Sequence, residues 1–139
     1  MTLTIRSGEP RDLAEIRVIQ VASPESAQWD PVDYLNHDLW VAAAGIRVVG
    51  FLAGRTLGAG ESELLNLAVA PDFRRQGIGR ALFTAWLERN PGSVFLEVRP
   101  SNPAARRFYK YLGFQEISTR PEYYQNPPEP AIVLKFHSC

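Results

Sequence analysis

Apolar and polar positions alternate weakly over Leu3–Arg6, which predicts a first strand. From Leu13 the apolar residues recur as Ile16, Val18, Ile19 and Val21, close to helical spacing. Pro10 suits the start of that helix and Pro24 its end. Residues 24–38 are polar with embedded aromatics (Trp29, Tyr34) and read as a loop with a short helix after Pro31. Leu39–Ala44 and Ile46–Leu57 predict two strands with Gly45 at their turn, followed by a Gly58–Gly60 loop. Leu64–Val69 predicts a strand stopped by Pro71, and Ile78, Leu82, Ala85 and Trp86 mark a helix ending near Asn90. Val94–Val98 is apolar except for Glu97 and predicts a buried strand. Ser101 or Asn102 can cap a helix with Pro103 in its first turn, running to Leu112 with Gly113 as its C-terminal cap. Phe114–Ser118 predicts a strand, residues 119–130 a Pro-rich loop holding Tyr123 and Tyr124, and Ala131–Phe136 a closing strand. This order predicts a mixed α/β (α+β) fold with two strand–helix–strand units between 64 and 118.

Length and charge narrow the picture. The 139 residues suit one domain, and 45% apolar with 22% charged residues is an ordinary globular composition. The longest apolar runs fall short of the ~20 residues of a membrane helix. The opening Met1–Arg6 lacks the apolar core of a secretory signal, so a cytoplasmic protein is expected. The single cysteine, Cys139, is the last residue, which excludes an internal disulfide and a cysteine-based zinc site. His37 and His137 have no ligand-like partners at useful spacing, and no metal is expected. Net charge is zero, yet residues 73–120 carry nine basic and three acidic residues, and the remainder is acidic by the same margin. A basic block suits a phosphate-bearing partner and an acidic remainder a cationic one; ordinary solvated helix faces are the plainer alternative. With zero net charge and no Lys/Arg run, neither nucleic acid nor a membrane is an expected partner.

The most informative segment is Leu67-Ala68-Val69-Ala70-Pro71-Asp72-Phe73-Arg74-Arg75-Gln76-Gly77-Ile78-Gly79-Arg80. A strand enters an Arg/Gly loop that opens a helix, and a helix N-terminus offers free N–H groups and the positive end of its dipole. Gly77 and Gly79 remove side chains where a ligand would approach the backbone. This is an anion site suited to a diphosphate. It lacks the Gly-Lys-Ser/Thr of a P-loop and the Gly-x-Gly-x-x-Gly of a dinucleotide fold. Arg74-x-x-Gly77-x-Gly79 after a strand resembles the signature of the GNAT superfamily of acetyl-CoA-dependent N-acetyltransferases. The resemblance implies a mixed sheet of six or seven strands with about four flanking helices. It also implies a coenzyme A diphosphate on the amides of Arg74–Arg80 and a pantetheine arm along Leu67, Ala68 and Val69. Strands 64–69 and 94–98 would be splayed around the cofactor.

A second segment sharpens the resemblance. Leu96-Glu97-Val98-Arg99-x-Ser101-Asn102, then Tyr109-x-x-x-Gly113-Phe114, is similar to the ribosomal-protein alanine N-acetyltransferase branch. Trp29 in the early loop and Arg120-x-x-Tyr123-Tyr124 agree with it. The resemblance implies Glu97 as the base that takes a proton from the acceptor amine, directly or through water, and Tyr109 as the acid that protonates the departing thiolate. Burial on a strand would make Glu97 a better base. Asn102 would bond the cofactor, amides of residues 67–69 would polarise the thioester, and Trp29, Tyr123 and Tyr124 would contact the acceptor. Plainer readings stand beside these: Glu97 paired with Arg99 or another arginine, Tyr109 a packed aromatic beside Phe108, and the paired tyrosines a loop cover. Glu61 and Glu63 are alternative bases. The acceptor implied is a protein N-terminal α-amine, with a small-molecule amine and a non-catalytic acyl-CoA-binding module as the other readings.

Overall fold

A computed structural model describes residues 2–23, 26–124 and 128–137. They form a seven-stranded sheet from β1 (Leu3–Ser7), β2 (Asp38–Ala44), β3 (Arg47–Gly58), β4 (Glu61–Val69), β5 (Ser93–Val98), β6 (Gln115–Tyr124) and β7 (Glu129–His137). The strand order is β1-β2-β3-β4-β5-β7-β6. Neighbours are antiparallel except β4 and β5, which are parallel because α2 (Ile78–Arg89) crosses between them.

Alternating residues of the strands feed two apolar layers. Trp86, Leu82 and Phe83 of α2 lie on one face against Leu52, Leu64, Leu67, Leu96 and Leu134. On the other face, α1 (Leu13–Val21) places Ile16 and Ile19 against Val41, Phe51 and Ala68. Tyr34 completes this second layer from the 3₁₀ segment Pro31–Asn36. With α1, α2 and α3 (Pro103–Leu112), this longest of the described 3₁₀ segments makes up the four flanking helices expected; the short Pro10–Asp12 and Pro71–Phe73 are single 3₁₀ turns. Asn102 caps α3, its Oδ1 accepting from the Ala105 N–H at 3.1 Å, and Gly113 closes the helix at φ +111°.

Two expectations are corrected. The Ile46–Leu57 strand begins instead at Arg47, because Gly45 (φ +63°) and Ile46 form the turn and leave Ile46 exposed. Residues 119–124 are strand rather than loop, since β6 runs on to Tyr124. Pro121 is tolerated because β6 is the sheet edge, and its register with β7 shifts between Arg120 and Tyr124. Pro24, Glu25, residues 125–127 and Cys139 lie outside the described residues. No helix among the described residues is long and apolar enough to cross a membrane.

Candidate active site

The parallel pairing of β4 with β5 lasts for three residue pairs, Glu61–Ser93, Ser62–Val94 and Glu63–Phe95. Beyond it the strands part. β4 stays with β3, and β5 follows β7 as far as Val98–Ile132. The splay expected between these strands therefore opens at Leu64 and Leu96. A bulge at Leu65 assists: Leu64 faces Gly54 while Asn66 faces the adjacent Ala53. The extra residue puts Leu64 and Leu67 in the same apolar layer, with Leu65 and Ala68 in the other. The opening is a cleft of about 880 Å³ between β4, β5, α3 and the loop before α2.

At one end the cleft meets that loop. Arg75 (φ +63°) and Gly77 (φ +79°) both take left-handed backbone, which curls the chain tightly into α2. A Cβ on Gly77 would find no protein atom within 4 Å, so the glycine faces open space. Gly79 serves differently from the ligand-approach role expected of it: a Cβ there would come within 2.9 Å of the Phe108 ring, so its missing side chain admits α3. Arg74 is exposed beside the cleft and donates to Ser23 Oγ (2.7 Å) and to the carbonyls of Val69 and Ala22. It braces the loop against the end of α1. Every residue expected to hold the cofactor lines the cleft, Arg74 included, except Gln76, which is exposed.

Glu97 and Tyr109 both line the cleft. Glu97 alternates with buried Leu96 and Val98, so it projects from the opposite face of β5. Its Oε1 accepts from Arg120 Nη1 at 2.6 Å, while Oε2 is buried with no hydrogen-bond partner among the described residues. Of the two pairings open to Glu97, Arg99 or another arginine, the structure has the second: Arg120 sits against it, supplied by β6 across the intervening β7. Tyr109 comes from α3 on the other side, wedged between Phe108 and Phe114.

Residues 36–116 match the model of the Acetyltransferase (GNAT) domain. The chain belongs to the GNAT acetyltransferase family. It is 42% identical over 80 residues to the ribosomal protein bS18-alanine N-acetyltransferase of Escherichia coli K12, an overlap of 53% of this chain and 54% of that one. The chain thus spans about half the length of the curated relatives it matches. Among solved structures, Ard1 from Thermoplasma volcanium superposes with a TM-score of 0.87 at 32% identity, covering 100% of this chain and 99% of that one. The Escherichia coli ribosomal-protein-S18-alanine N-acetyltransferase gives 0.77 at 28%, covering 97% and 93%.

Within this GNAT domain the other expected residues are more scattered. Trp29 stacks on Tyr34 at 5.7 Å and packs with the α1 layer, outside the cleft lining. Tyr123 lies on β6 under the Arg120 guanidinium, 4.3 Å from it. Tyr124 pairs through its backbone with Glu129, and its side chain is not among those described. Glu61 and Glu63 sit on the closed, paired end of β4, and Glu63 is tied to Arg55 at 2.6 Å.

The sequence reading missed Asn66. Its Nδ2 donates to the Tyr34 hydroxyl (2.9 Å) and the Ala27 carbonyl (2.8 Å), its Oδ1 accepts from the Leu67 N–H, and Tyr34 in turn donates to Gln20 Oε1. This network ties α1 and the loop after it to the cleft strand. Burial pushes the Tyr34 hydroxyl up to about 12. An asparagine inside an apolar strand was the available signal, since a buried amide needs partners.

Proposed function

We propose that this protein is an N-acetyltransferase that moves the acetyl group of acetyl-CoA to an amine by direct attack, with a protein N-terminal α-amine as acceptor. The observation that carries the reading is Glu97 Oε2, buried without a partner among the described residues, on a residue that lines the cleft together with Tyr109. A buried carboxylate oxygen without a partner asks for a donor, and an acceptor ammonium is such a donor.

The residues present fit acetyl-CoA. The cleft opens onto the α2 N-terminus, whose first-turn amides have no partner within the helix, and Gly77 leaves space beside them. Once bound, the coenzyme supplies a thioester activated toward amines. An α-amine is mostly protonated at neutral pH, with an ordinary pKa of about 8, so it must lose a proton before attack. In this reading Glu97 orients the ammonium through Oε2 and takes that proton directly or through water. Tyr109 holds a proton for the departing thiolate. The two walls of the splay bring both partners together, and that proximity supplies much of the acceleration.

Charge pairing favours a single ammonium over a polycation. Glu129 is paired with Arg99, Glu63 with Arg55 and Glu97 Oε1 with Arg120, so the acidic side chains around the cleft are largely compensated. Curated relatives are named for acetylating the alanine of a ribosomal protein, which agrees with an α-amine acceptor. Mass spectrometry of an acceptor panel incubated with acetyl-CoA tests the reading. The panel holds peptides starting with Ala, Ser and Met, a lysine side chain and a polyamine. Acetylation confined to peptide N-termini is expected. Product on the polyamine alone would overturn the acceptor, and saturable acetyl-CoA binding with no product would overturn the enzyme.

A further inference from the structure

We propose that Arg120 is the positioning residue for Glu97: it pins one carboxylate oxygen so that the other stays turned into the splay. The proposal rests on the reading of Glu97 as the proton acceptor. Arg120 stands two strands away from Glu97. Glu97 pairs with Val133 of β7, and Ala131, two residues along, pairs with Arg120 of β6. All four share one face by the two-residue alternation of strands. The guanidinium therefore crosses about 10 Å of sheet, two strand spacings, to reach Oε1.

The environment argues for aim rather than stability. The Arg120 side chain is 55% exposed and that of Glu97 is 16% exposed. A pair so open at one end adds little to folding. It does select the rotamer of a side chain with three rotatable bonds. The selected rotamer leaves Oε2 buried and unpartnered among the described residues, an arrangement a folded chain ordinarily avoids. Arg120 is itself backed by the Tyr123 ring, so Tyr123, Arg120 and Glu97 form a row leading into the cleft. The neighbouring cations are otherwise engaged: Arg99 is paired with Glu129 at 2.8 Å, and Lys135 lies over the Phe95 ring.

The test is steady-state kinetics on Arg120→Met, Arg120→Lys, Glu97→Gln and the Glu97→Gln/Arg120→Met double variant, with acetyl-CoA and an Ala-starting peptide. Arg120→Met is expected to lower kcat roughly 10- to 100-fold, the scale of a displaced catalytic group. The KM for acetyl-CoA should stay within about twofold and Arg120→Lys should recover part of the loss, because any cation at that place restores some aim. The double variant should be no slower than Glu97→Gln, since the arginine works through the glutamate. Unchanged kcat in Arg120→Met, or a double variant as slow as the product of the two single losses, overturns the proposal. Wild-type turnover in Glu97→Gln would instead overturn the base assignment beneath it. A crystal structure of Arg120→Met reads the same point without turnover: Glu97 leaving its rotamer supports the role, and an unmoved Glu97 refutes it.

Discussion

Replacing Gly92 with alanine should damage the joint from which the cleft opens. Gly92 precedes β5 at φ +123°, and a Cβ there would overlap the Gly60 carbonyl oxygen and lie 2.9 Å from its carbon and 3.0 Å from its Cα. All three atoms are backbone, so no side chain can swing away. The Ser93 N–H donates to that same Gly60 carbonyl at 2.9 Å, next to the first β4–β5 pair. Backbone strain at this φ costs about 1–3 kcal/mol for a residue with a Cβ. Displacing Gly60 loses a hydrogen bond worth about 1 kcal/mol net. The sum is about 3 kcal/mol, or roughly a 10 °C drop in Tm for a chain of this length. Gly60→Ala is the matched control. Gly60 has φ +72°, but an added Cβ there would meet nothing within 4 Å, so it should lose only about 1 kcal/mol. Urea unfolding of both variants, compared by midpoint at equal slope, separates clash from strain. Equal losses in the two variants would refute the close approach of Gly92 to Gly60. A further consequence is weaker acetyl-CoA binding by Gly92→Ala, because the β4–β5 joint sets the width of the splay.

Three other predictions follow from the site and from the first helix. Tyr109→Phe should cut turnover by roughly 10²-fold while acetyl-CoA affinity stays within about twofold, measured by product mass and by calorimetry; near-wild-type turnover removes Tyr109 from acid catalysis. Gly77→Val should weaken acetyl-CoA binding by about tenfold or more, since the side chain enters the cleft rather than the core, and lower stability by about 1–3 kcal/mol because of its φ of +79°, with the circular-dichroism spectrum at 25 °C still native; unchanged affinity would remove the loop from phosphate binding. The third concerns Asp12, 3% exposed, whose carboxyl is held below its usual range chiefly by hydrogen bonds from Arg6, with burial opposing. A depressed folded value means that this stabilisation is present above about pH 4 and is lost as pH falls through the folded value. Asp12→Asn should therefore cost about 2 kcal/mol at pH 7 and show a shallower loss of stability than wild type on going to pH 3; parallel acid curves would refute the linkage.

Much of the layout was legible in the chain because local signals agreed. Pro103, the Asn102 cap and Gly113 bracketed α3, and the structure matches each. The Arg-x-x-Gly-x-Gly loop declared a helix N-terminus, and Gly77 takes the positive φ that such a turn demands. Where the reading failed, distant contacts had overridden local preference. Pro121 signalled a loop, yet β7 pairs with Thr119, Arg120 and Tyr124 on either side of it, because an edge strand can leave one donor missing. Leu64–Val69 carries one polar residue, Asn66, which signals a buried amide but not the bulge at Leu65, because the extra residue shows only against the partner strand β3.

Alone, the sequence determined most of the element types, the Arg/Gly turn that opens α2 and the positions of the candidate proton-moving residues. Those depend on spacing along one segment, which capping, proline and periodicity encode directly. Only the tertiary structure decided where the expected splay of β4 and β5 begins, after Phe95, that Arg74 reaches Ser23, and that Arg120 rather than Arg99 meets Glu97. Which arginine reaches a given carboxylate depends on sheet order, and β7 inserts between β5 and β6 against the order of the chain. Pairing at a distance is a property of that order, not of any segment.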